Sequence, residues 1–252
     1  MAVLLAAGKG TRMKSELPKV LVPVCGRPML RYVVDALRDA GVRRMIVVVG
    51  HRADLVRAEL SGEPGIEFTE QSEQLGTGHA VMMCRSQLRE HRGSVVVVAG
   101  DSPLLQTRSL RTLLAARADT QAACLLGTVM KEDPTGLGRI VRDQQGRFAG
   151  IVEDKDATEE QRKIREINVS TYVFDAQYLL SSLDELKDEN AQGEYYITDC
   201  PGILLALGLR VDAVNALQPC EALSINSMDD LREVEREMRR LGVTSAGRAA
   251  SS

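Results

Sequence analysis

Four consecutive valines, Val95 to Val98, run into Ala99-Gly100-Asp101. A stretch that is apolar at every position, not at alternate ones, has the composition of a strand covered on both faces, which points to a parallel sheet flanked by helices. Similar runs open the chain at residues 4–7 and recur at 45–49. Between them Pro28 can start a helix whose apolar positions Met29, Leu30, Val33, Val34 and Leu37 share one face, with Gly41 as its stop. Residues 53–60 read as a helix, 66–69 as a short strand and 77–88 as a helix. The alternation predicts an α/β fold with a doubly wound, mostly parallel sheet. From Gln121 the texture changes. Residues 122–130 read as a strand, and 138–141 and 148–153 bracket the hairpin signal Asp143-Gln144-Gln145-Gly146. A short charged helix at 157–163 and a strand at 170–174 follow, so this smaller part is expected to be mixed or antiparallel. A helix from Pro201 to about residue 207, a strand at 209–214, and a charged amphipathic helix at 228–241 between Ser227 as N-cap and Gly242 complete the pattern.

In doubly wound sheets ligands bind beyond the carboxyl ends of the strands, which sets the loop after residues 4–7 and the Gly100-Asp101 turn on one site. That loop, Gly8-Lys9-Gly10-Thr11-Arg12-Met13, runs on to Leu17-Pro18-Lys19. Its small residues let backbone N–H groups approach an anion, Arg12 can fork across two phosphate oxygens, and Lys19 can add a point charge. The spacing fits neither a dinucleotide fingerprint, which needs a third glycine where Met13 stands, nor a P-loop, which needs Gly-Lys-Ser/Thr. Taken alone, the loop could equally be a strand-to-helix turn. A net charge of −3 shows no basic face for nucleic acid, and 3% aromatics without tryptophan give no base-stacking platform and no interfacial membrane helix. No apolar run is long enough to span a bilayer, and the first residues lack a basic leader, so the expected location is cytoplasmic. The five cysteines include no Cys-x-x-Cys pair and read as reduced core residues.

The Leu-Ala-Ala-Gly-Lys-Gly-Thr-Arg-Met stretch followed by Leu-Pro-Lys-Val resembles the signature of sugar-1-phosphate nucleotidylyltransferases, above all the uridylyltransferase half of bacterial bifunctional N-acetylglucosamine-1-phosphate uridylyltransferases. The resemblance implies a Rossmann-like fold of the nucleotide-diphospho-sugar transferase type, with UTP and a sugar-1-phosphate as partners and Mg²⁺ as cofactor. Arg12 and Lys19 would be catalytic, and Leu5, Ala6, Ala7, Gly8, Gln71, Gly76 and Thr77 would bind the nucleotide. Gly138, Glu153 and Asn168 would bind the sugar, Asp101 and Asn226 the metal. Taken singly, Asp101 could be a cap, Asn226 a turn former leaving a strand before the last helix, and Gly76-Thr77-Gly78 a helix-start turn. His79 is assigned a structural role, and the segment from Asn190 to Asp199, which is also family-like, a structural role near the pocket.

Two departures border the expected sugar site: Ala99 stands where close relatives carry Tyr, and Val169-Ser170 where they carry Thr-Gly. Ser170 should confine the backbone to ordinary φ values, and a changed sugar preference, with glucose-1-phosphate tolerated, is expected. Thymidylyl or cytidylyl transfer to another sugar or alcohol phosphate, and a nucleotide-sugar-binding regulator without turnover, stay open. No internal repeat occurs, and none of the hexapeptide pattern of the left-handed β-helix acetyltransferase half. One domain over 1–242 with a disordered tail over 243–252 and no acetyltransferase domain is therefore expected. The oligomeric state is open, because the trimer-forming half of the bifunctional relatives is not expected here.

Overall fold

The computed structural model describes residues 1–10, 16–190, 192–244 and 247–248. Arg12, assigned to the phosphate cradle, lies outside them. The first half contains β1 (Ala2–Ala6), a ribbon of β2 (Pro23–Val24) and β3 (Arg27–Pro28), α1 (Met29–Asp39), β4 (Met45–Val49), α2 (Ala53–Glu59) and β5 (Ile66–Glu70). Then come α3 (Thr77–Met82), α4 (Arg85–Glu90), β6 (Ser94–Ala99) and α5 (Thr107–Thr120). The second half contains β7 (Cys124–Met130), β8 (Arg139–Arg142), β9 (Phe148–Val152), α6 (Glu159–Arg162), β10 (Glu166–Asp175) and α7 (Ala176–Asp184). It ends with α8 (Cys200–Ala206), β11 (Val211–Val214), α9 (Met228–Arg240), β12 (Val243–Thr244) and β13 (Gly247–Arg248).

The sheet runs β11-β7-β10-β6-β1-β4-β5. β6, β1, β4 and β5 are mutually parallel, β11 is parallel to β7, and β10 is antiparallel to both β6 and β7. β8 and β9 form the expected hairpin, joined to β10 through Ile167 and Arg139. Alternate residues of each central strand enter opposite cores. Leu4, Val47 and Val96 pack with α1 and α5 on one face, while Val3, Ile46 and Val97 pack with α3, α4, α7 and α8 on the other. This is why the valine run has no polar member. Each fully buried valine contributes about 1.5–3 kcal/mol.

A third, smaller core decides where the end of the chain goes. Val24, Met29 and Tyr32 of the ribbon and α1 pack against Leu231, Val234 and Met238 of α9, with Ile225 and Val243 beside them. The Tyr32 hydroxyl donates to the Val24 carbonyl at 2.9 Å, closing the ribbon. α9 is thereby docked beside the loop that follows β1.

The structure corrects several expectations. The helix over residues 77–88 is broken into α3 and α4 at Met83-Cys84, where Cys84 N–H bonds to the Val81 carbonyl in a tightened turn. The strand expected directly before α9 is not formed: between β11 and α9, Pro219 to Ala222 makes a 3₁₀ turn, since proline has no N–H for a ladder and Glu221 accepts from Gln218 N at 2.7 Å, Gln106 N at 2.9 Å and Ser109 Oγ at 2.6 Å. The expectation of a disordered tail over 243–252 fails at its start, because Val243 is buried and β12 pairs with β13; residues 245–246 and 249–252 lie outside the described residues. Helices α5 and α7 had no counterpart in the sequence pattern. α5 buries Ser109 and Arg117 beside Leu110 and Leu113, which blurs its apolar stripe.

Candidate active site

β1 and β6 are adjacent, Leu5 pairs with Ala99, and Gly100 N–H donates to the Leu5 carbonyl at 2.9 Å. The loop after β1 and the turn after β6 therefore leave the sheet at the same edge. Lys19 returns to this edge on a 3₁₀ turn, Lys19–Leu21, anchored by buried Val20 and Leu21. Its ammonium lies 2.6 Å from Asp101 Oδ2 and donates to Asn226 Oδ1 at 3.0 Å. Three residues spread along the chain thus converge on one point. Gly10 is required there: its φ is +62°, and a Cβ would come within 2.6 Å of the Lys19 Cβ.

Asn226 is placed by the start of α9. Ser227 caps the helix by accepting from Asp230 N–H, and Asp230 Oδ2 accepts from the N–H groups of Ser227 and Asn226, both at 2.8 Å. The Asn226 amide nitrogen donates to Ser224 Oγ at 3.1 Å, so its oxygen faces Lys19. An ammonium only donates, which fixes this orientation.

A cleft of about 310 Å³ opens beside this cluster, lined among others by Leu5, Ala7, Gly8, Gln71, Gly76, Thr77, Ala99 and Asp101. Ala6 is the exception among the expected nucleotide residues: its side chain is in the core on the opposite face. Gln71 is buried, and its amide nitrogen donates to the Gly76 carbonyl at 3.0 Å and lies 3.1 Å from His79 Nδ1. A carbonyl cannot donate, so the amide orientation is fixed, and His79 Nδ1 is the acceptor of the second hydrogen. Gln74 donates to the Ala7 carbonyl at 2.8 Å and ties the end of β1 to the segment carrying Gly76.

Gly76 and Gly78 explain the Gly-Thr-Gly signal. Gly76 has φ +102°, a Cβ there would lie 2.5 Å from the Tyr195 carbonyl oxygen, and Gly78 donates to the same oxygen at 2.7 Å. Thr77 Oγ1 accepts from Ile197 N–H at 3.1 Å. These bonds hold Tyr195 and Ile197 beside α3, and from the segment expected near the pocket Asn190, Gln192, Tyr196 and Thr198 line the adjoining cavity.

That second cavity, about 400 Å³, shares Leu5, Thr77 and Ala99 with the cleft, so the two form one trough. Glu153 and Ser170 line it. Burial is the main force holding the Glu153 carboxyl above the usual carboxylate range; Asp199 and Asp156 add to it, while a bond from Thr198 and the charge of Arg139 oppose it. Gly138 lies against Glu153, whose carboxylate oxygens are 3.5 Å from where a Cβ would stand.

Gly138 is not itself among the residues lining the trough, and neither is Asn168. Asn168 is buried beneath, its amide nitrogen donating to Tyr172 Oη at 2.7 Å and its amide oxygen accepting from Ser170 N–H at 3.2 Å. It shapes a bulge: Asn168 pairs with Thr128 and Tyr172 with Leu126, so four steps on β10 face two on β7. Ser170 within it has φ +54°, which overturns the expectation that serine confines this backbone to ordinary φ values. The Asn168 oxygen braces the turn, so the left-handed conformation persists without glycine. Ser170→Gly should therefore raise stability by about 0.5–1 kcal/mol, as relief of a left-handed residue outweighs the entropy of glycine. Thermal unfolding reads this as a higher Tm, and a lower Tm would show that serine holds the bulge by its own hydroxyl.

Hard oxygen donors at Asp101 and Asn226, already bridged by a cation, suit a divalent ion that takes one or two protein ligands and completes its shell with water and phosphate. Among the described residues no three His, Cys, Asp or Glu side chains make an all-protein metal cage.

Residues 2–188 match the family model described as MobA-like NTP transferase domain. The chain is 46% identical over 239 residues to a protein named Bifunctional protein GlmU from Brevibacillus brevis, covering 95% of this chain and 51% of that one. It is 42% identical over 258 residues to another of that name from Geobacter metallireducens, covering 99% of this chain and 54% of the relative. The chain thus spans about half the length of the curated relatives it matches. A solved UDP-glucose pyrophosphorylase complexed with UDP-glucose superposes with a TM-score of 0.76 at 17% identity, over 95% of this chain and 98% of that structure, a likeness of fold.

Proposed function

Because the chain belongs to the family of MobA-like NTP transferase domains, we propose that it is a Mg²⁺-dependent uridylyltransferase that joins UTP to a sugar-1-phosphate, most simply N-acetylglucosamine-1-phosphate, and releases pyrophosphate. The observation that carries this reading is the convergence of Lys19, Asp101 and Asn226 at the head of a trough leading to Glu153. A phosphate oxygen of the sugar phosphate attacks the α-phosphorus of UTP, the bond to the β-phosphate bridging oxygen breaks, and pyrophosphate leaves. The attacking oxygen is already an anion, so no general base is needed and histidine has no proton to take. Lys19 sits where charge grows on the phosphates and neutralises it; Arg12 is assigned the same task from its sequence position. Asp101 and Asn226 are the residues that would hold Mg²⁺, which when bound supplies Lewis-acid stabilisation of the phosphate oxygens. Catalysis is then positioning and electrostatics.

The base preference follows from Gln71. Both its amide hydrogens point inward, to Gly76 and His79, leaving its oxygen as an acceptor. This favours a base with an imide N–H, which uracil and thymine carry and cytosine lacks. At the other end Glu153 accepts from a sugar hydroxyl, and Ala99 and Ser170 set the room around it. No helix among the described residues is long and apolar enough to cross a membrane. The deciding experiment is pyrophosphate release from UTP, dTTP and CTP, each with N-acetylglucosamine-1-phosphate and glucose-1-phosphate, with and without EDTA. UTP should rank first and CTP last, glucose-1-phosphate should be tolerated, and EDTA should stop turnover. Undiminished release in EDTA, or none from any pair, would sink the reading.

Glu153 also gives a pH dependence. Its carboxyl is raised, so lowering pH protonates it before an ordinary carboxylate, and it then loses its capacity as a charged acceptor. The KM for the sugar phosphate should rise on the acid side beginning above the usual carboxylate range, while the KM for UTP should not follow it. Glu153→Gln should have the higher KM at neutral pH and lose this dependence. The same profile in wild type and Glu153→Gln would assign the effect to the substrate's own phosphate.

A further inference from the structure

We propose that Lys19 is the resident counter-ion of the metal site in the nucleotide-free protein, so that a divalent ion can occupy Asp101 and Asn226 only after nucleotide phosphates have drawn the lysine ammonium away. The inference rests on the uridylyltransferase reading for the identity of the nucleotide, and its own content is the exchange of one cation for another. The ammonium is 2.6 Å from Asp101 Oδ2 and 3.0 Å from Asn226 Oδ1. A Mg²⁺ or Mn²⁺ ion ligated by those two oxygens would stand about 2.0–2.2 Å from each, in the space the ammonium fills. Two cations cannot share it without strong repulsion in a half-buried setting, where the Lys19 and Asp101 side chains are 14% and 24% exposed.

The geometry also provides the place to which the ammonium moves. Lys19 backbone is fixed: Leu21 N–H donates to the Pro18 carbonyl at 2.9 Å and Val22 N–H to the Lys19 carbonyl at 3.1 Å, with Val20 and Leu21 buried. Only the side chain is free to swing. Gly10 of the phosphate loop lies directly on its stem, with space for no Cβ. Gly8 lines the same cleft as Lys19 and Asp101, so a phosphate held at the backbone of Gly8 to Gly10 is within reach of the same flexible four-carbon arm. Binding of phosphate removes the ammonium from Asp101, and the vacated oxygens accept the divalent ion. Nucleotide and metal are then coupled positively, and by linkage the metal tightens nucleotide as much as nucleotide tightens metal.

The test is Mn²⁺ binding to nucleotide-free protein, read by electron paramagnetic resonance as loss of the free-ion signal, with no turnover involved. Wild type should bind Mn²⁺ weakly at this site. Lys19→Met, which keeps the length of the stem and removes the charge, should bind it at least about tenfold more tightly. Lys19→Arg should remain as weak as wild type, and Lys19→Met combined with Asp101→Asn should lose the gain, which locates the ion. Lys19→Gln serves in place of the methionine variant if that one unfolds, as judged by circular dichroism.

Equal Mn²⁺ affinity in wild type and Lys19→Met overturns the proposal, and so does a gain that survives Asp101→Asn. Failure of the enzymatic reading looks different: wild type that releases no pyrophosphate with any nucleotide and sugar phosphate rejects that reading, whatever the Mn²⁺ titrations show. An active wild type with no Lys19 effect on Mn²⁺ rejects only the counter-ion role.

Discussion

Asp101→Ala should lower kcat by about a hundredfold or more while the fold survives, the size expected when a charge-stabilising group is lost from a phosphoryl-transfer site. Asp101 is partly exposed at the end of β6 and belongs to no core cluster. Its removal opens no core cavity. Among the described residues it removes one of two oxygen partners of the Lys19 ammonium and leaves the Asn226 amide oxygen, so thermal stability should fall slightly, by less than the cost of a core truncation. Initial rates of pyrophosphate release at saturating UTP and sugar phosphate, together with the Tm, provide the check. A loss of activity that merely tracks a large loss of Tm would show a structural aspartate. Near-normal turnover would remove Asp101 from the chemistry.

The second large effect is expected at Lys19. Lys19→Ala should reduce kcat by roughly a hundredfold and raise the KM for UTP much less, because charge on the phosphates grows towards the transition state and the ammonium serves it there. The two constants must be measured separately, since a fall in kcat/KM alone does not distinguish binding from catalysis. If only KM moved, the lysine would bind ground state and transition state alike, and the catalytic role would be wrong. The variant has a second signature. With the ammonium gone, nucleotide-free protein should gain metal affinity while losing rate, a combination that a general disturbance of the loop would not produce.

Much of the fold could be read from patterns tied to single strands. The solid apolar runs read at residues 4–7, 45–49 and 95–98 fall in β1, β4 and β6, the adjacent parallel strands at the centre of the sheet. The change of texture after Gln121 became the antiparallel strand β10 with the β8–β9 hairpin. Local chemistry settled these, since a strand buried on both faces tolerates no polar residue and a hairpin needs its turn. α5 was illegible because its buried face contains Ser109 and Arg117, whose polar groups are satisfied by Glu221 for the serine and by Ala122, Ser94 and Asp175 for the arginine. α7 carried a readable signal, an Asp175 side chain that caps Gln177 N–H at 2.9 Å before a leucine-rich turn.

The residue types at the site could be read along the chain: a small-residue loop, an acid after the valine strand, and a Gly-Thr-Gly turn whose glycines admit the Tyr195 carbonyl. Which of them meet is set by packing between distant segments. Asn226 reaches Lys19 across 207 residues because the ribbon, α1 and α9 share a core of their own. Asn168 belongs beneath the trough and not in it, because the bulge in β10 turns its amide onto Tyr172 and the Ser170 backbone. Ser170 holds a left-handed backbone against its own preference for the same reason. Residue type and spacing along the chain specify local conformation and donor chemistry. Which donors face one another depends on long-range packing, in which hydrophobic burial at one place fixes polar geometry at another.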